Sequence, residues 1–557
     1  MAPLAPDIAT TMRLLISRFY WLGSIDAQPL PALGNFPLMN PVYARNIVAT
    51  SQPLAAQAGL QVLAKGGNAV DAALACAITL TVVEPTMNGL GGDAFALVWH
   101  EGKLHGLNAS GRAPAAWAPA HFAGRKTMPD RGWGSVTVPG VVSSWVALSK
   151  RFGRLPFTDL FESAIRYARD GFAVTRVIAK HWAEAVPVLK PYPGFIDSFT
   201  RAGRAPVQGE IWRYPDQAKT LEKIAQTGGE AFYRGDIAAS IAAFARATGG
   251  DITEDDLAAH ECDWVEPLGF DYKDHRLYEI PPNGQGIGAQ MALGMLEHLN
   301  ASQHPSLSAQ RIHLQVEAMK LAFADLQAHV ADPASMKTSP DALLNKDYLA
   351  ERASLIDPAK AASYPPGKLH HGGTVYLCAA DQEGNMVSFI QSNFKGFGSG
   401  VVAPGGIALQ NRGWGFSLEE GHPNIVAPRK RPFHTIIPAF LTKNGQPTMA
   451  YGVMGGNMQA QGHLQLAMSV VDDALSPQEA SDCPRWRIND EGRLTVEAAM
   501  PAQVVADLRA KGHDVLVMPA DSTDFGSAQA IGRMSETLAD GYRSGSDHRR
   551  DGQAVGY

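Results

Sequence analysis

The chain has 557 residues, 45% of them apolar and 18% charged, with a net charge of −6. That apolar share excludes a disordered chain, and the low charge fits a large interior. No block of Lys and Arg stands out, which argues against nucleic-acid binding, and no run approaches the ~20 apolar residues of a membrane span.

At the N-terminus Leu14-Leu15-Ile16 is bracketed by Arg13 and Arg18. No longer apolar run follows, so a standard signal peptide is not expected and the cytoplasm is the default compartment, with the periplasm left open. Residues 1–44 read as an arm with several prolines. Ser51 suits a helix cap and Pro53 a first turn, and Leu54, Ala58, Val62 and Leu63 recur at helical spacing up to Gly66-Gly67. Asn68 caps a second helix running to Val83, apolar nearly all round and therefore buried. Asn88-Gly89-Leu90-Gly91-Gly92-Asp93 is a glycine-rich loop entering a strand at Ala94–Val98; it lacks the Gly-Lys-Ser/Thr of a phosphate loop, so its glycines serve close approach.

From about 155 to 330 the pattern is mostly helical, with helices opening at Pro215 and Asp236 and a long one from about Ser308 to Val330; Arg276 to Ile280 reads as a strand. Gly284-Gln285-Gly286-Ile287-Gly288 has the wrong spacing for a dinucleotide site. Six Pro and Gly residues between Asp357 and Gly373 mark an exposed linker, in which His370-His371 has no further ligand nearby in sequence. Thr374 to Ala380 and Met386 to Ser392 then form a hairpin turning at Asp381–Asn385. Helices near Gln461–Asp473 and Ala502–Lys511 and a strand at Val515–Val517 follow. The four cysteines, Cys76, Cys262, Cys378 and Cys483, form no C-x-x-C pair, so free thiols are expected rather than a disulfide framework or a zinc ribbon.

The chemistry points to Gly372-Gly373-Thr374. A threonine hydroxyl is a poor nucleophile without a base, and one solution uses the residue's own α-amine, which requires cleavage of the peptide bond before it. The glycines permit strained geometry at the cut, the linker gives room, and the strand holds the new terminus. By itself, a Gly-Gly-Thr at a strand start also suits an ordinary turn.

Thr374–Asp381 with Gly384-Asn385 resembles the nucleophile hairpin of the γ-glutamyltranspeptidase family. So do Gly66–Ala73, Val83-Glu84-Pro85 with Gly89–Gly92, Val138-Pro139-Gly140, Glu317-Ala318 with Ala324-Asp325, Arg431-Pro432, Gly455-Gly456 and Asp551–Tyr557, all in the family's order from about residue 45 to the end. The resemblance implies an N-terminal nucleophile hydrolase: an α/β, four-layer αββα sandwich made as one body from two autocleaved subunits, residues 45–373 and 374–557. It implies Thr374 as nucleophile and base, Gly455 and Gly456 as the oxyanion hole, Ser392 as a supporting hydroxyl, and a Gly373–Thr374 cleavage bond. It calls for no metal or organic cofactor; the partners are a small-molecule amide and the two subunits as a heterodimer, with no nucleic acid or membrane.

The departures bear on specificity. The position of the usual carboxylate-clamping Arg is Ser110, with Arg112 two residues on. The paired aspartates for the substrate amine become Asn411-Arg412-Gly413-Trp414-Gly415, and a serine pair becomes His434-Thr435. Arg112, Arg412, Trp414, His434 and Thr435 are thus the candidate substrate-binding residues. The pattern resembles the family's cephalosporin-acylase branch, whose glutaryl group is γ-glutamyl without its α-amine. A classical glutathione-cleaving transpeptidase and an unprocessed binding relative are the alternatives.

Overall fold

The computed structural model describes residues 39–364 and 373–557; the arm up to residue 38 and the stretch 365–372, with His370 and His371, lie outside the described residues. Strands such as Asp93–His100, Gly373–Ala380 and Met386–Phe394 are buried on both faces. Their near-continuous apolar sequence fits sheets covered on both sides.

Two seven-stranded antiparallel sheets carry the fold. The first runs Gln553–Gly556, Ile47–Thr50, Gly373–Ala380, Met386–Phe394, Asp93–His100, Lys103–Asn108, Asp263–Val265. The second runs Tyr43–Ala44, Tyr542–Ser546, Ala528–Arg533, Gln446–Val453, Ala439–Lys443, His275–Glu279, Leu268–Tyr272. Their inner faces meet without room for a side chain at Gly452, where a Cβ would lie 2.4 Å from the Tyr376 ring. Trp99 stacks on Phe440 at 6.2 Å across the same interface.

Helices close the outer faces, giving the expected αββα layers. Pro53–Ala64 and Ala69–Val83 cover the first sheet, and Gly286–His298 and Met458–Val471 the second. Asn68 forms a capping box with Asp71, and every residue of Ala69–Val83 is buried. The cap of Pro53–Ala64 differs from the expected one: Gln52, not Ser51, accepts from the Leu54 and Ala55 N–H groups. The Ser51 hydroxyl is instead drawn to buried Glu84, donating to its carboxylate at 2.5 Å. The long helix is Ala309–His329, capped by Ser308. The hairpin turn is pinned by Asp381, whose carboxylate accepts from the Glu383 and Asn385 N–H groups, with Gly384 at φ +93°. All four cysteines are unpaired.

Candidate active site

The strand pairing places Thr374 at an irregularity. Gly373 pairs with Phe394 and Val375 with Gln391, so Ser392 and Asn393 together oppose Thr374. Such a bulge re-aims side chains, and Phe394 beside it is held at φ +77°, a strained backbone for a non-glycine residue. Thr374 is buried. Its hydroxyl donates to Ser392 Oγ at 3.3 Å, and the Ser392 hydroxyl donates to the Gly373 carbonyl at 2.6 Å. Ser392 Oγ also accepts from the Phe394 N–H at 2.7 Å. A chain of hydroxyls thus runs from the threonine oxygen to the carbonyl of the bond preceding it.

The glycines of the Asn88–Asp93 loop make room for this arrangement. A Cβ on Gly92 would lie 2.7 Å from the Ser392 carbonyl oxygen, and one on Gly91 2.4 Å from that of Ala408. Glu84, just ahead of the loop, is fully buried, and desolvation pushes its carboxyl up to about 7. A carboxyl raised on folding adds stability below its unfolded value near 4.5, and this is lost as pH rises through 7. Glu84→Gln keeps an acceptor for Ser51. Relative to wild type it should therefore gain ~3 kcal/mol at pH 8 and nothing near pH 4, read from paired denaturation curves.

Gly455 and Gly456 follow the strand Gln446–Val453 at φ +117° and +60°, conformations that favour glycine. Among the described residues no group accepts from their two N–H groups, while the Gly456 carbonyl accepts from Gln285 Nε2 at 2.9 Å and from the Gln459 N–H at 3.1 Å. Gln459 then turns back to the threonine. Its Oε1 accepts from the Ile437 N–H at 3.0 Å, which fixes the amide's orientation, and its Nε2 donates to Thr374 Oγ1 at 3.2 Å. Gln285 Nε2 also donates to the Thr435 carbonyl at 2.6 Å, tying the glycine pair to His434-Thr435.

Behind Phe394 lies a buried charged group. Asp93 Oδ1 accepts from the Gly111 and Gly140 N–H groups and from Gln410 Nε2, at 2.9, 3.1 and 2.9 Å. His434 Nδ1 accepts from the Ile436 N–H at 3.3 Å, so Nε2 carries the proton and donates to Asp93 Oδ2 at 3.1 Å. Burial raises Asp93 to about 6, and burial together with the Arg412 charge drives His434 far below its ordinary value; the ring is neutral. Arg412, fully buried, stacks on Phe394 at 4.4 Å and donates from Nη1 to Thr435 Oγ1 at 2.9 Å. Its Nε and Nη2 have no acceptor among the described residues, and desolvation lowers it to about 9, still a cation at neutral pH.

Thr374, Ser392, Gly455, Gly456, Arg412, His434 and Thr435 are therefore gathered into one network. Trp414 borders it, 5.3 Å from the Phe394 ring, under the Lys395 ammonium, and on the wall of a cavity of about 640 Å³ that Asn457 also lines. Arg112 is placed elsewhere: it lies 3.7 Å from Asp332 and 3.9 Å from Asp263, and donates to the Arg429 carbonyl. Sequence reasoning missed Asp93, Gln285 and Gln459. The signal for Gln459 was its place in the first turn after the glycine pair. Among the described residues one set of potential metal ligands converges, His313, Glu317 and His513. Its atoms are engaged: the two rings share a hydrogen bond of 2.8 Å, and Glu317 accepts from Lys320 and from the Ala362 N–H.

A family model described as gamma-glutamyltranspeptidase matches residues 55–557. The glutathione hydrolase-like YwrD proenzyme of Bacillus subtilis is 39% identical over 92% of this chain and 99% of its own length. The oxamate amidohydrolase proenzyme of Klebsiella pneumoniae is 38% identical over 93% and 99%. The crystal structure of cephalosporin acylase from Bacillus halodurans superposes with a TM-score of 0.87 at 45% identity, covering 96% of this chain and 99% of that one.

Proposed function

We propose, from the premise that this chain belongs to the gamma-glutamyltranspeptidase family, that it is a proenzyme which cuts itself before Thr374 and then hydrolyses amides of short, carboxylate-terminated acyl groups, glutaryl foremost. The observation that carries this reading is the hydroxyl chain from Thr374 through Ser392 to the Gly373 carbonyl. In the uncut chain no α-amine is free to act as base. As Thr374 Oγ attacks the Gly373 carbonyl carbon, its proton passes to Ser392, and the Ser392 proton passes to the carbonyl oxygen. As the carbonyl re-forms, that proton moves on to the Thr374 nitrogen and the C–N bond breaks, so the acyl group is carried on oxygen; water hydrolyses the ester, leaving a Gly373 carboxylate and a free Thr374 amine.

The amine is then the base for substrate. It takes the Thr374 hydroxyl proton as Oγ attacks the amide, and returns it to the departing nitrogen. The Gly455 and Gly456 N–H groups hold the oxygen that becomes negative, at about 3–4 kcal/mol for one good donor. Water resolves the ester. The two unsatisfied N–H groups of Arg412 suit a substrate carboxylate, which binds guanidinium in two parallel hydrogen bonds. An ammonium beside the Arg412 cation would be repelled, and no carboxylate replaces the usual aspartates in residues 411–415.

The relative named as glutathione hydrolase-like favours a second reading, γ-glutamyl transfer or hydrolysis. Kinetics on matched glutaryl and γ-glutamyl p-nitroanilides separate the two. Glutaryl is expected to compete well, and a kcat/KM a hundredfold or more in favour of γ-glutamyl would install the second reading instead. For either substrate the rate should rise with pH through a limb near 7–8, because the amine must lose its proton. A profile flat from pH 5 to 9 would exclude the amine as base.

A further inference from the structure

We propose that Gln459 is a catalytic residue, whose side-chain amide holds the negative charge that builds on Thr374 Oγ each time a bond to that oxygen is made or broken. This rests on the amidohydrolase reading above and extends it. In that reading the Gly455 and Gly456 N–H groups serve the carbonyl oxygen of the substrate, and the α-amine carries the proton. The nucleophile's own oxygen is served by neither.

The orientation of the amide is set by its neighbours. Gln459 is fully buried in the first turn of the helix Met458–Val471, and its backbone N–H is held by the Gly456 carbonyl at 3.1 Å. Because Oε1 accepts from the Ile437 N–H at 3.0 Å, Nε2 is the atom that faces the threonine, donating to Oγ1 at 3.2 Å. A hydroxyl oxygen has one covalent neighbour, one proton and two lone pairs. At Thr374 the proton points to Ser392 and one lone pair is taken by Gln459, which leaves the other lone pair to attack a carbonyl carbon. Nε2 can only donate, so the hydroxyl cannot turn its proton that way. The proton stays on the side of Ser392 in the uncut chain and is free for the α-amine after the cut.

The charge on this oxygen changes along the reaction. As Oγ attacks, its proton passes to the base while the new C–O bond forms, and the oxygen is partly negative. When water resolves the ester, the C–Oγ bond breaks and the electron pair stays on Oγ until the α-ammonium returns a proton. A hydrogen bond to an ionised acceptor is about twice as strong as one to a neutral acceptor. The Gln459 bond is therefore strongest in the two transition states and raises the rate rather than the affinity. The amide proton remains on Nε2 throughout. Self-cleavage begins with the same oxygen attacking the Gly373 carbonyl, so Gln459 acts there as well.

The test compares Gln459→Glu with Gln459→Met. Glutamate keeps an acceptor for the Ile437 N–H and loses only the donor, whereas methionine loses both. At about pH 9, above the limb of the α-amine, a carboxylate at this position is ionised and cannot donate. Self-cleavage is followed there on denaturing gels, and turnover of glutaryl p-nitroanilide is measured once each variant has cut to completion. Both variants should lose about tenfold in the self-cleavage rate constant and about tenfold in kcat, with KM within about twofold of wild type. A residue that only supports the fold behaves otherwise: Gln459→Glu would match wild type, and Gln459→Met alone would fall, with a lower melting temperature. That pattern overturns the proposal, as does a loss that appears in KM with kcat unchanged, or in one of the two reactions and not the other. A wild type that cuts itself but turns over no anilide removes the amidohydrolase reading, and the self-cleavage rates of the two variants then decide the role of Gln459 by the same comparison.

Discussion

Purified protein is expected to run on a denaturing gel as two fragments of about 40 and about 20 kDa, in proportion to length from the 59.5 kDa chain, the smaller beginning at Thr374 by N-terminal sequencing. The two should still migrate together under native conditions without a disulfide. In the first sheet residues Leu377–Ala380 of the smaller fragment pair with Ile47–Thr50 of the larger, and Met386–Phe394 pairs with Asp93–His100. Separating the fragments would break both ladders and expose the core between the sheets. Thr374→Ala should remain one uncut chain, because the attacking oxygen is gone. Ser392→Ala should still cut, but slower by roughly a hundredfold, because one step of assisted proton transfer is lost. A wild-type chain that stays full length after prolonged incubation would end the proenzyme reading and leave a binding protein in its place.

Arg412→Met should abolish discrimination between acyl groups with and without a terminal carboxylate. Glutaryl and pentanoyl p-nitroanilides have acyl chains of the same length, one ending in a carboxylate and the other in a methyl group. Wild type is expected to prefer glutaryl by about a hundredfold or more, since removing one partner of a buried charge pair costs about 2–5 kcal/mol. In the variant the preference should collapse, mostly through loss of glutaryl turnover. Buried Asp93, which acts on the guanidinium, keeps its bonds to the Gly111 and Gly140 N–H groups, Gln410 and His434 in the variant, and self-cleavage with the melting temperature reports on its folding. A variant that self-cleaves normally and keeps the glutaryl preference would show that the carboxylate is held by another group.

Much of the local architecture was legible in the chain. The Asn68 cap, the helix to Val83, the Asp381–Asn385 turn and the two strands around it rest on interactions between residues near in sequence, which periodicity and turn chemistry report directly. The Gly-Gly-Thr motif offered a candidate nucleophile from contiguous residues that suited an ordinary turn as well, and the resemblance of the whole hairpin singled it out. The competition for Ser51 was not legible, since its partner Glu84 lies 33 residues on, past two helices. Nor was the rest of the network. Gln459 reaches Thr374 across 85 positions, and His434 reaches Asp93 across 341. A buried polar side chain leaves no mark on a hydrophobic pattern, and only the packing of two sheets decides which donors and acceptors meet. The same packing separated two arginines that were equal as sequence candidates. Arg112, two residues after Ser110, faces Asp332 and Asp263, whereas Arg412 is enclosed beside Thr435 with Nε and Nη2 unsatisfied. The sequence by itself determined many of the elements and a candidate Gly-Gly-Thr motif, through local interactions; tertiary structure alone decided which charges are desolvated around it, because desolvation depends on what the fold brings over each side chain.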